Sequence, residues 1–189
     1  MTSVAEIWQR LCRRLVIANS ACSRVRTALW KLRGAHIGSG TLIPRGTLVT
    51  WPHQVRLGQQ CILQPDIFFN YDHYWVPGPS IMVGDSVFIG RGCEFNARKT
   101  ITIGNGVLIA SGCTLIDHDH GRNQDTGQIN EDCPGSPIDV ADGAWVGANS
   151  TILKGVHIGR NSVVGAGSVV TKSIPDGEVW AGVPAVRLR

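Results

Sequence analysis

Apolar residues return every six positions from residue 37 onward, in six groups of three: Ile37, Ile43, Val49; Leu57, Leu63, Phe69; Val83, Ile89, Phe95; Ile103, Ile109, Leu115; Val140, Val146, Ile152; and Ile158, Val164, Val170. Glycine often follows the apolar residue, as in "IGSGTL", "IGNGVL" and "VGAGSV", and small or branched residues such as Thr41, Cys61, Cys93, Cys113, Ala144 and Ser162 take the fifth place. A period of six suits neither the 3.6-residue turn of an amphipathic helix nor the two-residue alternation of a strand. Each hexad is therefore read as one short strand plus a corner, with Gly or Asn accepting the unusual backbone angles of the corner. Three hexads close one triangular coil. Coils stacked about 4.8 Å apart pair as parallel strands on three flat faces around a narrow core. The pattern predicts an all-β chain from residue 35 to 189, a parallel β-helix of about six triangular coils.

Residues 1–34 follow another rule. Val4, Ile7, Trp8, Leu11, Leu15, Ala18, Cys22, Val25, Leu29 and Leu32 recur at three- and four-residue steps, which predicts one or two amphipathic helices ended by Gly34. This segment holds seven of the 18 Lys and Arg residues against one of the 14 acidic residues, a net +6, leaving −2 for the rest of the chain. The body thus offers no basic field for nucleic acid. Arginine interrupts the leader too often for a secretion signal or a membrane span. Two roles stay open for it: packing against its own domain or a sister subunit, and resting on an anionic bilayer surface through Trp8, Trp30 and its cations. Cys61, Cys93 and Cys113 occupy interior hexad places, Cys12 and Cys22 lie in the leader, Cys133 lies in a loop, and there is no CxxC pair. That distribution predicts reduced thiols in a cytoplasmic protein, peripheral to the inner membrane face if the leader binds lipid.

The hexad register breaks at 55–56, 75–82, 101–102 and 121–139, each time after the third hexad of a coil, so the irregularities gather at one corner of the triangle. The longest, 121–139, is predicted to be a protruding loop, and such loops commonly carry binding function. Just before it stands "CTLIDHDHGRNQ", with His118 and His120 between acidic neighbours. On residue type alone the two histidines read as metal ligands, as a base and its neighbour, or as a solvated turn. The register stacks Asn96, Ala97 and Arg98 of one coil against Ile116, Asp117 and His118 of the next.

The hexads, and above all "AWVGANSTILKGVHIGRNSVVGAGSVVTKSIPDGEVWAGVPAVRLR" at 144–189, resemble the hexapeptide-repeat acyltransferase superfamily, in particular O-acetyltransferases of maltose, galactoside and bacterial surface polysaccharides. The resemblance implies left-handed coiling, which the usual handedness of parallel crossovers would not, and a homotrimer with sites between subunits. It implies transfer of acetyl from acetyl-CoA, a co-substrate, to a saccharide hydroxyl, with no metal required. His118 aligns with the family's general base, Asp117 or Asp119 orients it, and Asn96, Arg98 and His120 are the expected substrate contacts. Trp145 and the backbone around Gly147 and Ala148 match the pantetheine tunnel, Ala166 and Thr171 lie further along it, and Lys172 and Arg187 match the basic residues near the nucleotide phosphates. N-acetylation of an amino sugar remains an alternative. A zinc enzyme of the gamma carbonic anhydrase type and a non-catalytic scaffold are further ones.

Overall fold

The computed structural model describes residues 20–122, 129–130 and 134–188. Three parallel sheets form the faces of a prism. The first stacks His36–Ile37, Val55–Leu57, Ile81–Val83, Ile101–Ile103, Ile138–Val140 and His157–Ile158; the second runs from Ile62–Leu63 through Phe88–Ile89, Leu108–Ile109, Trp145–Val146 and Val163–Val164 to Val179–Gly182; the third runs from Leu48–Val49 through Phe68–Tyr71, Glu94–Ala97, Thr114–Ile116 and Thr151–Leu153 to Val169–Val170. The chain winds as a left-handed β-helix. The six-residue apolar set marks the inward column of every face: Leu57 is level with Ile37 and Val83, Ile109 with Ile89 and Val146, and Leu115 with Phe95 and Ile152. Phe69 and Phe95, both fully buried, stack at 5.1 Å between ring centroids within the core. The small fifth-place residues sit inside the corners, where the Cys93 thiol bonds the Ala110 carbonyl at 3.0 Å and the Cys113 thiol that of Gly147 at 3.1 Å. Burial pushes the Cys61 thiol above its ordinary pKa, and the contact with the Cys113 sulfur together with burial pushes that of Cys93 the same way.

The starting edge of the prism is covered, as an exposed strand edge requires. At the start, the helix Ser20–Leu32 packs Ser23, Thr27 and Trp30 onto the first coil. Thr27 Oγ1 accepts from the Ile43 amide at 2.9 Å, Arg26 Nε donates to the Ile43 carbonyl at 3.2 Å, and the Trp30 ring meets Phe69 edge-on at 6.2 Å. The stripe read from the sequence, Cys22, Val25, Leu29 and Leu32, faces outward instead. The coil edge presents unpaired backbone N–H and C=O groups, and only a partly polar helix face can pair them. The remainder of the predicted leader, residues 1–19, lies outside the described residues. At the other end a partial seventh coil follows the six anticipated: Ile174 bridges to Ile158, Val179–Gly182 extends the second face, and Ala185–Arg187 folds back antiparallel on it.

The two short register breaks do not project. They lengthen first-face strands, Val55–Leu57 and Ile101–Ile103, to three residues. The long insertion leaves as Gly121–Arg122, which pairs antiparallel with Ile129–Asn130, and rejoins the first face at Ile138. Part of the segment predicted to be a plain loop is thus a small β-ribbon.

Candidate functional site

The site stands on the third face, where strands overrun the corner. Three residues beyond the level positions Phe69, Phe95 and Leu115 come Asp72, Arg98 and His118, one from each of three successive coils. The backbone holds them at successive heights: the Asp72 amide donates to the Ala97 carbonyl at 2.8 Å, and the Asp117 amide to the Asn96 carbonyl at 3.2 Å. The returning limb of the insertion clamps the histidine segment from outside. Asp119 N donates to the Pro134 carbonyl at 3.1 Å, Ser136 N to the Asp117 carbonyl at 2.8 Å, and His118 bridges Gly135. A side chain at Gly135 would begin 3.0 Å from the Asp117 carbonyl oxygen and 2.9 Å from Lys99 Cγ, closer than ordinary contact, so a larger residue would push the clamp or the lysine side chain aside.

Asp117 is fully buried and His118 nearly so. Asp117 Oδ1 accepts from the Arg98 amide at 2.7 Å, and Oδ2 from the Lys99 amide at 2.8 Å. Such a carboxylate is an acceptor only, so the contact at 3.0 Å between His118 Nδ1 and Asp117 Oδ1 has Nδ1–H donating. That commits Nδ1–H to Asp117 and leaves Nε2 as the nitrogen able to exchange a proton, donating to the Asp72 carboxylate when it holds one. Nε2 faces Asp72 Oδ2 at 3.3 Å, and Arg98 Nη1 lies 3.6 Å from the same oxygen. The His120 ring is set edge-on to His118 at 5.7 Å and is exposed. Asn96 accepts at Oδ1 from Asn70 Nδ2 at 3.2 Å one coil below. Of the two aspartates that sequence left as candidates to orient the base, Asp117 makes the contact, while Asp119 pairs with Lys154.

His118, Asp117, Arg98 and His120 are therefore brought together, with Asn96 beside them on the same strand overrun. Asp72 was missed. Its signal was available, since "FFNYD" puts it at the same offset from Phe69 as His118 holds from Leu115, but a lone acidic residue before an insertion carries no mark without that register. Among the described residues, one group has donor atoms close enough to share a metal ion: Asp72, His118 and His120. A third histidine is not in it. His157 lies on the first face, paired with Asp139 at 2.7 Å.

The expected coenzyme residues divide between two corners. Trp145 stands outward on the second face, half exposed, and Gly147 and Ala148 turn the corner into the third face, with Ala166 one coil above. A Cβ on Gly147 would lie 2.5 Å from the Ala166 amide nitrogen, so these two corners nest directly. Thr171 and Lys172 are exposed at the next corner, beyond Val169–Val170 and on the His118 side. Arg187 lies on the terminal hairpin, 3.1 Å from Glu178. One chain does not gather them into a single groove.

Comparison with known proteins agrees with the fold. The profile described as bacterial transferase hexapeptide (six repeats) matches residues 137–172. The chain is 35% identical to the galactoside O-acetyltransferase of Escherichia coli over 133 residues, 70% of this chain and 62% of that one. It is 36% identical over 115 residues to the putative lipopolysaccharide biosynthesis O-acetyl transferase WbbJ of Escherichia coli, 56% of this chain and 58% of that one. The chain thus spans about three fifths of the length of these two relatives. Among solved structures, the hexapeptide-repeat containing acetyltransferase VCA0836 of Vibrio cholerae superposes with a TM-score of 0.66 at 27% identity, covering 100% of this chain and 93% of that one. AntD, an N-acyltransferase of Bacillus cereus in complex with dTDP and 3-hydroxybutyryl-CoA, shares the fold with a TM-score of 0.74 at 17% identity, covering 87% of each chain.

Proposed function

Because the chain belongs to the hexapeptide-repeat acyltransferase superfamily, we propose that it transfers an acetyl group from acetyl-CoA to a saccharide hydroxyl with His118 as general base, in the building of a surface polysaccharide. The observation that carries this reading is the buried Asp117–His118 pair at the insertion corner, which leaves Nε2 able to exchange a proton and directed toward Asp72 and Arg98. A hydroxyl entering beside Nε2 gives it its proton as the oxygen attacks the thioester carbonyl. The tetrahedral intermediate then collapses, breaking the carbon–sulfur bond, and the imidazolium returns the proton to the departing thiolate. No covalent enzyme intermediate is needed. Asn96, Arg98 and His120 border the same opening and serve as acceptor contacts, and Arg98 and Asp72 suit a polyhydroxy ligand that both donates and accepts.

The split coenzyme residues support a homotrimer. A neighbouring subunit laid along the third face would bring the Trp145 corner of one chain toward the Lys172 and His118 corner of the next. The second face has an outward column suited to burial: Ile62, Phe88, Leu108, Trp145, Val163 and Val179 are level neighbours, and Leu108 and Trp145 are about half exposed. A monomer rarely leaves so continuous an apolar stripe bare. No helix among the described residues is long and apolar enough to cross a membrane. Peripheral attachment to an anionic membrane surface is part of the proposal, carried by residues 1–19 together with the outward Val25, Leu29 and Leu32, which Arg24, Lys31 and Arg33 flank.

The activity is tested by supplying acetyl-CoA with lipid-linked sugars, nucleotide sugars and free oligosaccharides and following released thiol. Acceptor-dependent thiol release with an O-acetylated product supports the reading. A product acetylated on nitrogen replaces it with the amino-sugar alternative, and no release with any saccharide defeats it.

A further inference from the structure

The corner that holds the base also has the donor set of a transition-metal site. Asp72 Oδ, a His118 nitrogen and a His120 nitrogen all lie within 4.8 Å of one another. The one pair in direct contact, His118 Nε2 and Asp72 Oδ2 at 3.3 Å, already has the spacing of adjacent ligands around zinc, where metal–ligand bonds of roughly 2.0–2.2 Å set tetrahedral neighbours about 3.3 Å apart. The other nitrogen of His118 is bonded to Asp117, whose carboxylate two backbone amides hold in place. This is the outer-shell support that metal-bound imidazoles ordinarily have. His118 and Asp72 are half or more covered, whereas His120 is exposed, so a hydrated ion can be captured first by His120 and then drawn inward. Two imidazoles and one carboxylate favour zinc-like ions over Mg2+ or Ca2+, which prefer all-oxygen shells.

We infer that Asp72, His118 and His120 form an inhibitory site for Zn2+ and similar divalent transition ions, closed with solvent in the fourth position. An ion there takes the Nε2 lone pair that proton transfer needs, so occupancy switches the base off. It also exchanges the Arg98–Asp72 ion pair for a coordinate bond, which makes Arg98 a competitor of the metal. The inhibition rests on the function proposed above, while the binding does not.

The test uses the full-length protein stripped of metal, with Zn2+ binding measured by calorimetry in the absence of coenzyme and acceptor, and acetyl transfer measured separately. One Zn2+ per chain is expected, unaffected by millimolar Mg2+. His120→Ala, an exposed position whose change leaves the core untouched, and Asp72→Asn should each weaken binding tenfold or more. Arg98→Ala should tighten it, and His157→Ala, at the other histidine–aspartate pair, should leave it unchanged. Turnover should fall along the same Zn2+ concentration curve as binding rises. Failure to bind Zn2+, or binding indifferent to His120 and Asp72, overturns the inference even in an active enzyme. Binding with the expected variant pattern in a protein that transfers no acetyl group upholds the metal site and overturns the acetyltransferase reading.

Discussion

At the residue scale the argument turns on His118. If it is the base, His118→Ala lowers turnover by about 10²–10⁴-fold while coenzyme A affinity, set by residues at other corners, changes little. His120→Ala should cost less. Steady-state kinetics with a saturating acceptor and a separate coenzyme binding measurement check both, and near-normal turnover in His118→Ala with an inactive His120→Ala would move the role two residues along. The longest break in an otherwise regular repeat drew attention to His118 and His120, and the resemblance to the hexapeptide-repeat acyltransferases singled out His118 as the expected base. It left Asp117 and Asp119 undecided, because which carboxylate points inward depends on the clamp that Gly135 and Ser136 place over the segment. Asp72 was passed over for a related reason: the coil register places it on the His118 column, but that it meets His118 across two coils is visible only in the folded chain.

At the scale of elements, the helix Ser20–Leu32 shows local pattern yielding to tertiary demand. Its exposed apolar stripe is the one the sequence displays, while its buried face carries a serine, a threonine and a tryptophan fitted to the open edge of the first coil. Trp30→Ala removes a nearly buried indole from Phe69, a loss of about 3–5 kcal/mol, and thermal unfolding should begin roughly 10 °C lower. An unchanged melting curve would show that the helix is not the cap described. Because this helix covers the coil, a membrane test should spare it. Removal of residues 1–19 is expected to weaken cosedimentation with anionic vesicles strongly, and added salt to weaken that of the intact chain. Cosedimentation unaffected by both would end the membrane proposal. The insertion likewise gains a short ribbon, Gly121–Arg122 with Ile129–Asn130, which its polar sequence did not announce.

At the scale of the whole molecule, the apolar column on the second face and the divided coenzyme residues both call for neighbours. Light scattering should give three times the 20.4 kDa of one chain. Leu108→Glu combined with Phe88→Glu should lower that mass and the activity together, without changing the circular dichroism of the coils. An active particle of single-chain mass would remove the trimer and require the coenzyme to lie within one subunit.

What the sequence determined by itself was the coil. A six-residue period admits few stable solutions, and each inward residue lies on its column because neighbouring coils repeat the same local geometry; the hydrogen bonds then follow from stacking. What only the tertiary structure decided were the places where the repeat fails: the helix face that meets the first coil, the seventh partial coil with its hairpin, and the contacts among Asp72, Arg98, Asp117, His118 and His120. A periodic pattern specifies its own neighbours, one coil above and one below. A site built where strands overrun a corner is specified by residues far apart in the chain, and folding alone brings their side chains within reach.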